Sequence, residues 1–100
     1  MIVANVHYNH PNDPAAFEAY YATTHLPLVD KVPGIARAVL IKCLPNADGS
    51  APALYRIAQL YYEDAEKMAA SLGSPEGQAA VADLANFATG GVSVIVGETG

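Results

Sequence analysis

The chain has 100 residues, 52% of them hydrophobic and 15% charged, with a formal net charge of −5. That length suits one domain over residues 1–100, and the composition is that of a globular chain, not a disordered one. Five Lys+Arg against ten Asp+Glu give no basic stripe, which argues against nucleic acid as a partner, and no apolar run reaches the length of a membrane span.

The single cysteine, Cys43, rules out an internal disulfide. Met1 runs directly into a strand-like pattern with no leader-like segment, so a cytoplasmic location is expected. So apolar a chain of this size carries more hydrophobic surface than one copy can hide, and self-association is expected.

Ile2–Asn9 alternates, with Ile2, Ala4, Val6 and Tyr8 on one side and Val3, Asn5, His7 and Asn9 on the other. This predicts a strand with one apolar and one mixed face. His10–Asp13 is a turn in which Asn12 or Asp13 can cap a helix opened by Pro14. Phe17, Tyr20, Tyr21, Thr24 and Leu28 recur at helical spacing and predict one buried stripe. Leu26 precedes a proline, which should push it out of the α region and make the helix kink or restart at Pro27.

Gly34–Leu44 predicts a second strand, and the turn-rich loop Pro45–Pro52 joins it to a third near Leu54–Glu63. Asp64–Leu72 predicts a helix ended by Gly73, and Ser74-Pro75 opens a longer one with Ala80, Val81, Leu84, Phe87 and Ala88 on its stripe. Gly90-Gly91 stops it, and Val92–Val96 is the last strand.

The order β-α-β-β-α-α-β is that of an α+β, ferredoxin-like fold, a four-stranded antiparallel sheet with helices on one face. The other face would carry Val3, Tyr55, Ile57 and Tyr61. Leaving these in water is unfavourable, so a second copy stacked sheet to sheet, a dimeric α/β barrel, is expected. Asn5, His7 and Gln59 would then line a partly enclosed interior able to hold a small ligand.

His25 is the leading candidate for chemistry, because an imidazole can take or give a proton near neutral pH. Tyr21, four residues earlier on the same helix face, can orient it or share a substrate oxygen. The structural alternative has His25 capping its helix by donating to free carbonyls. His7, beside Asn5, is either a hydrogen-bonded wall residue or a pocket residue, whereas His10 lies in an exposed turn. The three histidines have no metal-binding spacing, so no metal is expected.

Tyr55, Gln59 and Tyr61 share one strand face, suited to a flat, partly polar ligand or to dimer packing. Asp83 is expected in a structural ion pair with Arg37 or Arg56, and Cys43 is expected to be an inert, half-buried thiol. Gly90-Gly91 follows a helix instead of opening one, the wrong polarity for phosphate.

The pattern Phe17-x-x-Tyr20-Tyr21-x-x-x-His25-x-Pro27-Leu28, then Pro33-Gly34, resembles the EthD-type family of dimeric α/β-barrel proteins. The likeness continues through Arg56-Ile57-Ala58-x-Leu60-Tyr61-Tyr62 and Asp83-Leu84-Ala85-x-Phe87, departing at Tyr62, where phenylalanine is more usual. It implies a homodimer with a pocket between sheet and helices. Relatives in the superfamily are cofactor-free cyclases, isomerases, decarboxylases and monooxygenases acting on small, often aromatic or polyketide-like molecules, so no cofactor is expected.

The resulting expectation is proton transfer on a small hydrophobic or aromatic carbonyl compound. His25 and Tyr21 would be catalytic, and Asn5, His7, Gln59, Tyr61 and Phe87 would contact substrate. The alternative is a non-catalytic ligand-binding or accessory protein.

Overall fold

The computed structural model describes all 100 residues. Strand β1 (Ile2–Tyr8) leads into helix α1 (Pro14–Tyr20), a π-helical turn (Tyr21–His25) and helix α2 (Leu26–Asp30). Strands β2 (Arg37–Lys42) and β3 (Arg56–Tyr62) follow, then helices α3 (Ala65–Gly73) and α4 (Pro75–Phe87) and strand β4 (Val92–Glu98). The four strands form one antiparallel sheet in the order β2-β3-β1-β4, the expected ferredoxin-like arrangement. No helix is long and apolar enough to cross a membrane.

Register decides which side chains meet the helices. Ala4 pairs with Leu60 and Val96, and Val6 with Ala58 and Val94. Together with Tyr8 and Tyr62 these make the helix-facing side. One residue along, Asn5 pairs with Gln59 and Ile95, and His7 with Ile57 and Ser93, so the mixed residues point the other way, as strand alternation requires. That second face, which also holds Val3, Val39, Ile41 and Tyr61, has no helix over it.

Asp13 caps α1 by accepting from the Ala16 N–H at 3.1 Å, with Pro14 in the first turn. The expectation for Leu26 is corrected, since its φ of −60° and ψ of −38° are α-helical. The physical reason is the π turn, in which the Leu26 N–H bonds to the Tyr21 carbonyl five residues back. This wider ring gives Pro27 room that a regular helix would deny it. The turn also shifts the buried stripe. Thr24 is exposed, while Tyr21 and His25 are buried.

The core is aromatic. Tyr8, Phe17, Tyr21 and Phe87 cluster around Ala58, with ring centroids 5.1–5.9 Å apart in edge, stacked and tilted arrangements. Tyr55 also packs against this core, edge-on to Phe17 at 5.1 Å, and is not on the open face as expected. It sits in a bend just before β3, where strand alternation has not yet begun. Gly77, in the first turn of α4, allows α3 and α4 to meet closely. A Cβ there would lie 2.1 Å from the Ser71 carbonyl oxygen.

Candidate functional site

The π turn sets His25 against α4, where it meets Asp83. His25 Nδ1 lies 2.9 Å from Asp83 Oδ2, and the two residues are only 4% and 7% exposed. Asp83 also accepts at Oδ1 from the Tyr20 hydroxyl at 2.6 Å and the Asn86 amide at 2.9 Å. Burial pushes its carboxyl pKa up, but the hydrogen bonds from Tyr20, Asn86 and His25 outweigh this and hold it below the usual range. Asp83 is therefore a carboxylate at neutral pH and can only accept, which makes Nδ1 the protonated nitrogen of His25. The basic lone pair of a neutral His25 is left on Nε2, for which the protein supplies no hydrogen-bond partner.

This pairing corrects two expectations. Asp83 pairs with neither Arg37 nor Arg56, and His25 does not cap its helix through carbonyls. Arg56 is taken by Glu18, with Nε at 2.8 Å and a terminal nitrogen at 2.5 Å from the two carboxylate oxygens. Arg37 lies over the Tyr61 ring, 4.5 Å from its centroid. Asp83 and His25 are 58 residues apart, so no local pattern joined them. The available signal was a carboxylate beside the apolar stripe of α4, a place where a charge needs a partner.

A cavity of about 150 Å³ lies between the helices and the helix-facing side of the sheet. Ala4, Val6 and Tyr8 of β1 and Ala58, Leu60 and Tyr62 of β3 form its floor; Tyr21, His25, Leu26, Ala80 and Leu84 are in its roof. Apart from Gly77, His25 is the only lining residue that is not hydrophobic. Leu40, Leu72, Val81 and Val94 also line it and remain exposed, so the cavity opens to solvent through an apolar rim.

Tyr21 lines the same cavity, with its ring nearly parallel to the His25 imidazole, 5.9 Å between centroids at 18°. The Arg56 guanidinium also lies over the Tyr21 ring, 5.1 Å from the centroid. The Tyr21 hydroxyl is buried and has no hydrogen-bond partner, an unfavourable state for a polar group. Burial pushes its pKa up, with Glu18 adding to the rise and Arg56 opposing it. Phe87 packs on His25 at 4.6 Å and fixes the ring, but it is not part of the cavity lining.

The remaining expected site residues are elsewhere. Asn5, His7, Gln59 and Tyr61 lie on the opposite sheet face, so the expectation that this mixed face walls the pocket of His25 is not met. A strand shows adjacent residues to opposite faces, and the cavity took the apolar one. Three of these residues bond to one another. Tyr61 donates to Gln59 at 3.3 Å, Gln59 donates to Asn5 at 3.2 Å, and Asn5 donates to the Ile95 carbonyl at 3.1 Å. His10 meets the Pro52 carbonyl oxygen at 2.7 Å in its exposed turn. No three His, Cys, Asp or Glu side chains are grouped so as to hold a metal ion.

Comparison with known proteins bears on the family and the fold. The EthD domain family matches residues 9–91. An uncharacterized 11.0 kDa protein from the thcB–thcC intergenic region of Rhodococcus erythropolis is 45% identical over 95 residues, 95% of this chain and 91% of that protein. The crystal structure of an EthD family protein from Bacillus halodurans superposes with a TM-score of 0.92 at 28% identity, covering 99% of this chain and 98% of that one.

More distant structures share the fold alone. SnoaB, a cofactor-independent oxygenase from Streptomyces nogalater, is 19% identical with a TM-score of 0.62, covering 98% of this chain and 90% of its own. A hydroxynitrile lyase from Passiflora edulis is 11% identical with a TM-score of 0.76, covering 99% and 94%.

Proposed function

The chain belongs to the EthD domain family, and we propose that it moves a proton on a small hydrophobic carbonyl compound without a cofactor. The observation that carries this reading is the buried His25–Asp83 pair at the wall of an otherwise apolar cavity. Nε2 takes a proton from the carbon next to the carbonyl, and the imidazolium that forms is stabilised by the Asp83 carboxylate. The electron pair of the broken C–H bond becomes an enolate beside the imidazolium. His25 then returns the proton to the same or another atom. The neighbouring folds include an oxygenase and a lyase, which supports small-molecule chemistry in general and no single reaction.

The open sheet face favours a homodimer in which Val3, Val39, Ile41, Ile57 and Ile95 are covered by a second copy. Asn5, His7, Gln59 and Tyr61 then belong to that interface and not to the reacting centre. Light scattering showing a stable monomer at micromolar concentration would remove the interface.

The proton-transfer role is tested by solvent deuterium exchange into the methyl group of acetophenone, followed by NMR. Exchange should be accelerated by the wild-type protein and abolished in His25→Ala. A second reading, a ligand carrier, is favoured by the cavity's having one non-hydrophobic side chain besides Gly77. Saturable binding with no exchange for any carbonyl compound would establish it.

A further inference from the structure

The charge census of the cavity narrows what it can hold. No lysine, arginine, aspartate or glutamate lines it. The nearest candidate cation, Arg56, is held by both oxygens of Glu18. Protonating His25 supplies no net positive charge, because Asp83 at 2.9 Å already balances it. A carboxylate or phosphate in the cavity would therefore be an uncompensated charge among apolar side chains, which is strongly unfavourable.

The size census narrows it further. An apolar cavity of about 150 Å³ accommodates a molecule the size of benzene. The small lining residues Ala4, Ala58, Gly77 and Ala80 set that volume, and the aromatic rings around them are packed against one another and cannot retreat cheaply. One polar atom in its wall, His25 Nε2, lacks a protein partner, since the hydrogen bond of His25 is made through Nδ1.

We infer that the site selects an uncharged, single-ring molecule carrying one oxygen function, and rejects both anions of the same shape and fused-ring compounds. This rests on the proposed location of the site at His25, but not on any reaction occurring there. The rim formed by Leu40, Leu72, Val81 and Val94 gives such a molecule an apolar entrance without a charged residue to steer it.

Three probes of graded chemistry test it by calorimetry and ligand-observed NMR on the wild-type protein. Acetophenone is neutral with one ring, benzoate is the anion of similar shape, and anthrone is neutral with three fused rings. Acetophenone should bind saturably at millimolar concentration or below, and benzoate at least about a hundredfold more weakly. Anthrone should not bind.

Ala80→Leu, which fills the cavity, should abolish acetophenone binding. Leu26→Phe does the same from another helix and serves if the first variant does not fold. Benzoate or anthrone binding as tightly as acetophenone would overturn the inference, as would acetophenone failing to bind or binding equally to a folded, filled variant. Selective acetophenone binding without deuterium exchange would uphold the charge and size rule while removing the proton-transfer reading.

Discussion

Asp83→Asn is the sharpest perturbation of the site, because it preserves shape while changing which atoms can accept. Two donors converge on Oδ1, the Tyr20 hydroxyl and the Asn86 amide. In the variant the amide oxygen must occupy that position, since an NH₂ group there would face the Asn86 NH₂. The new NH₂ then takes the Oδ2 position, 2.9 Å from His25 Nδ1. Nδ1 becomes an acceptor, the ring proton moves to Nε2, and the free lone pair disappears.

A hydrogen bond to a charged group contributes about 1.5–3 kcal/mol and a neutral one about 0.5–1.5, so each of the bonds from His25, Tyr20 and Asn86 to residue 83 weakens by about 1–1.5 kcal/mol. Relief of carboxylate burial, several kcal/mol for one ion, offsets most of this. The expected loss is near 1 kcal/mol, a fall in Tm of about 4–8 °C. Exchange catalysed by His25 should fall about 10²–10⁴-fold. Long-range ¹⁵N–¹H correlation of the His25 ring reads the tautomer directly. A variant that folds and keeps its proton on Nδ1 would refute the argument, whatever its activity.

Tyr21→Phe removes a buried hydroxyl with no partner, so it should stabilise the ligand-free protein by about 1 kcal/mol while leaving acetophenone binding unchanged. Thermal melts with and without the ligand check both. Gly77→Ala should destabilise by more than about 1 kcal/mol, because its Cβ would meet the Ser71 carbonyl oxygen at 2.1 Å; urea midpoints measure it.

Acid should destabilise the fold through Asp83 and Glu18, both held below their ordinary pKa values. For Glu18 the first cause is the hydrogen bond from Arg56. A depressed folded pKa gives stability that is complete above the unfolded value of about 4 and is lost as pH falls through the lower folded value. Urea midpoints should therefore drop below about pH 4, and the drop should be shallower in Asp83→Asn.

The sheet, the order of elements and the helix starts at Pro14 and Pro75 were legible because each rests on a short-range pattern: alternation, a proline in a first turn, a glycine stop. Tyr21 and His25 were legible for the same reason, being four residues apart on one helix. What lay beyond reach depended on long-range meeting or on a local irregularity. Asp83 finds His25 across 58 residues, and any of several cations could have been its partner on pattern alone. Strand alternation counted back from Tyr61 puts Tyr55 on the open face, but the bend before Arg56 breaks the count. The mixed face looked like a pocket wall because polar side chains suggest a ligand. In the structure Asn5, Gln59 and Tyr61 satisfy one another instead.

Two features together explain why the functional candidate lies on the apolar side. The π turn widens the helix where Pro27 follows, and residues four apart come nearly into line, so the His25 ring lies almost parallel to Tyr21 and faces inward. Opposite it the sheet offers alanines, Ala4 and Ala58, and α4 offers Gly77 and Ala80. Larger side chains at these positions would close the space.

An enclosed void of about 150 Å³ would cost roughly 3–4 kcal/mol, a substantial part of the 5–15 kcal/mol or so that stabilises a domain. The rim opening moderates that cost without removing it. A chain whose core elsewhere is densely aromatic has room here because of its small residues, beside the one imidazole paired with a carboxylate. Poor packing does not explain that combination, since filling the space needs only common substitutions. A bound molecule that completes the packing does explain it.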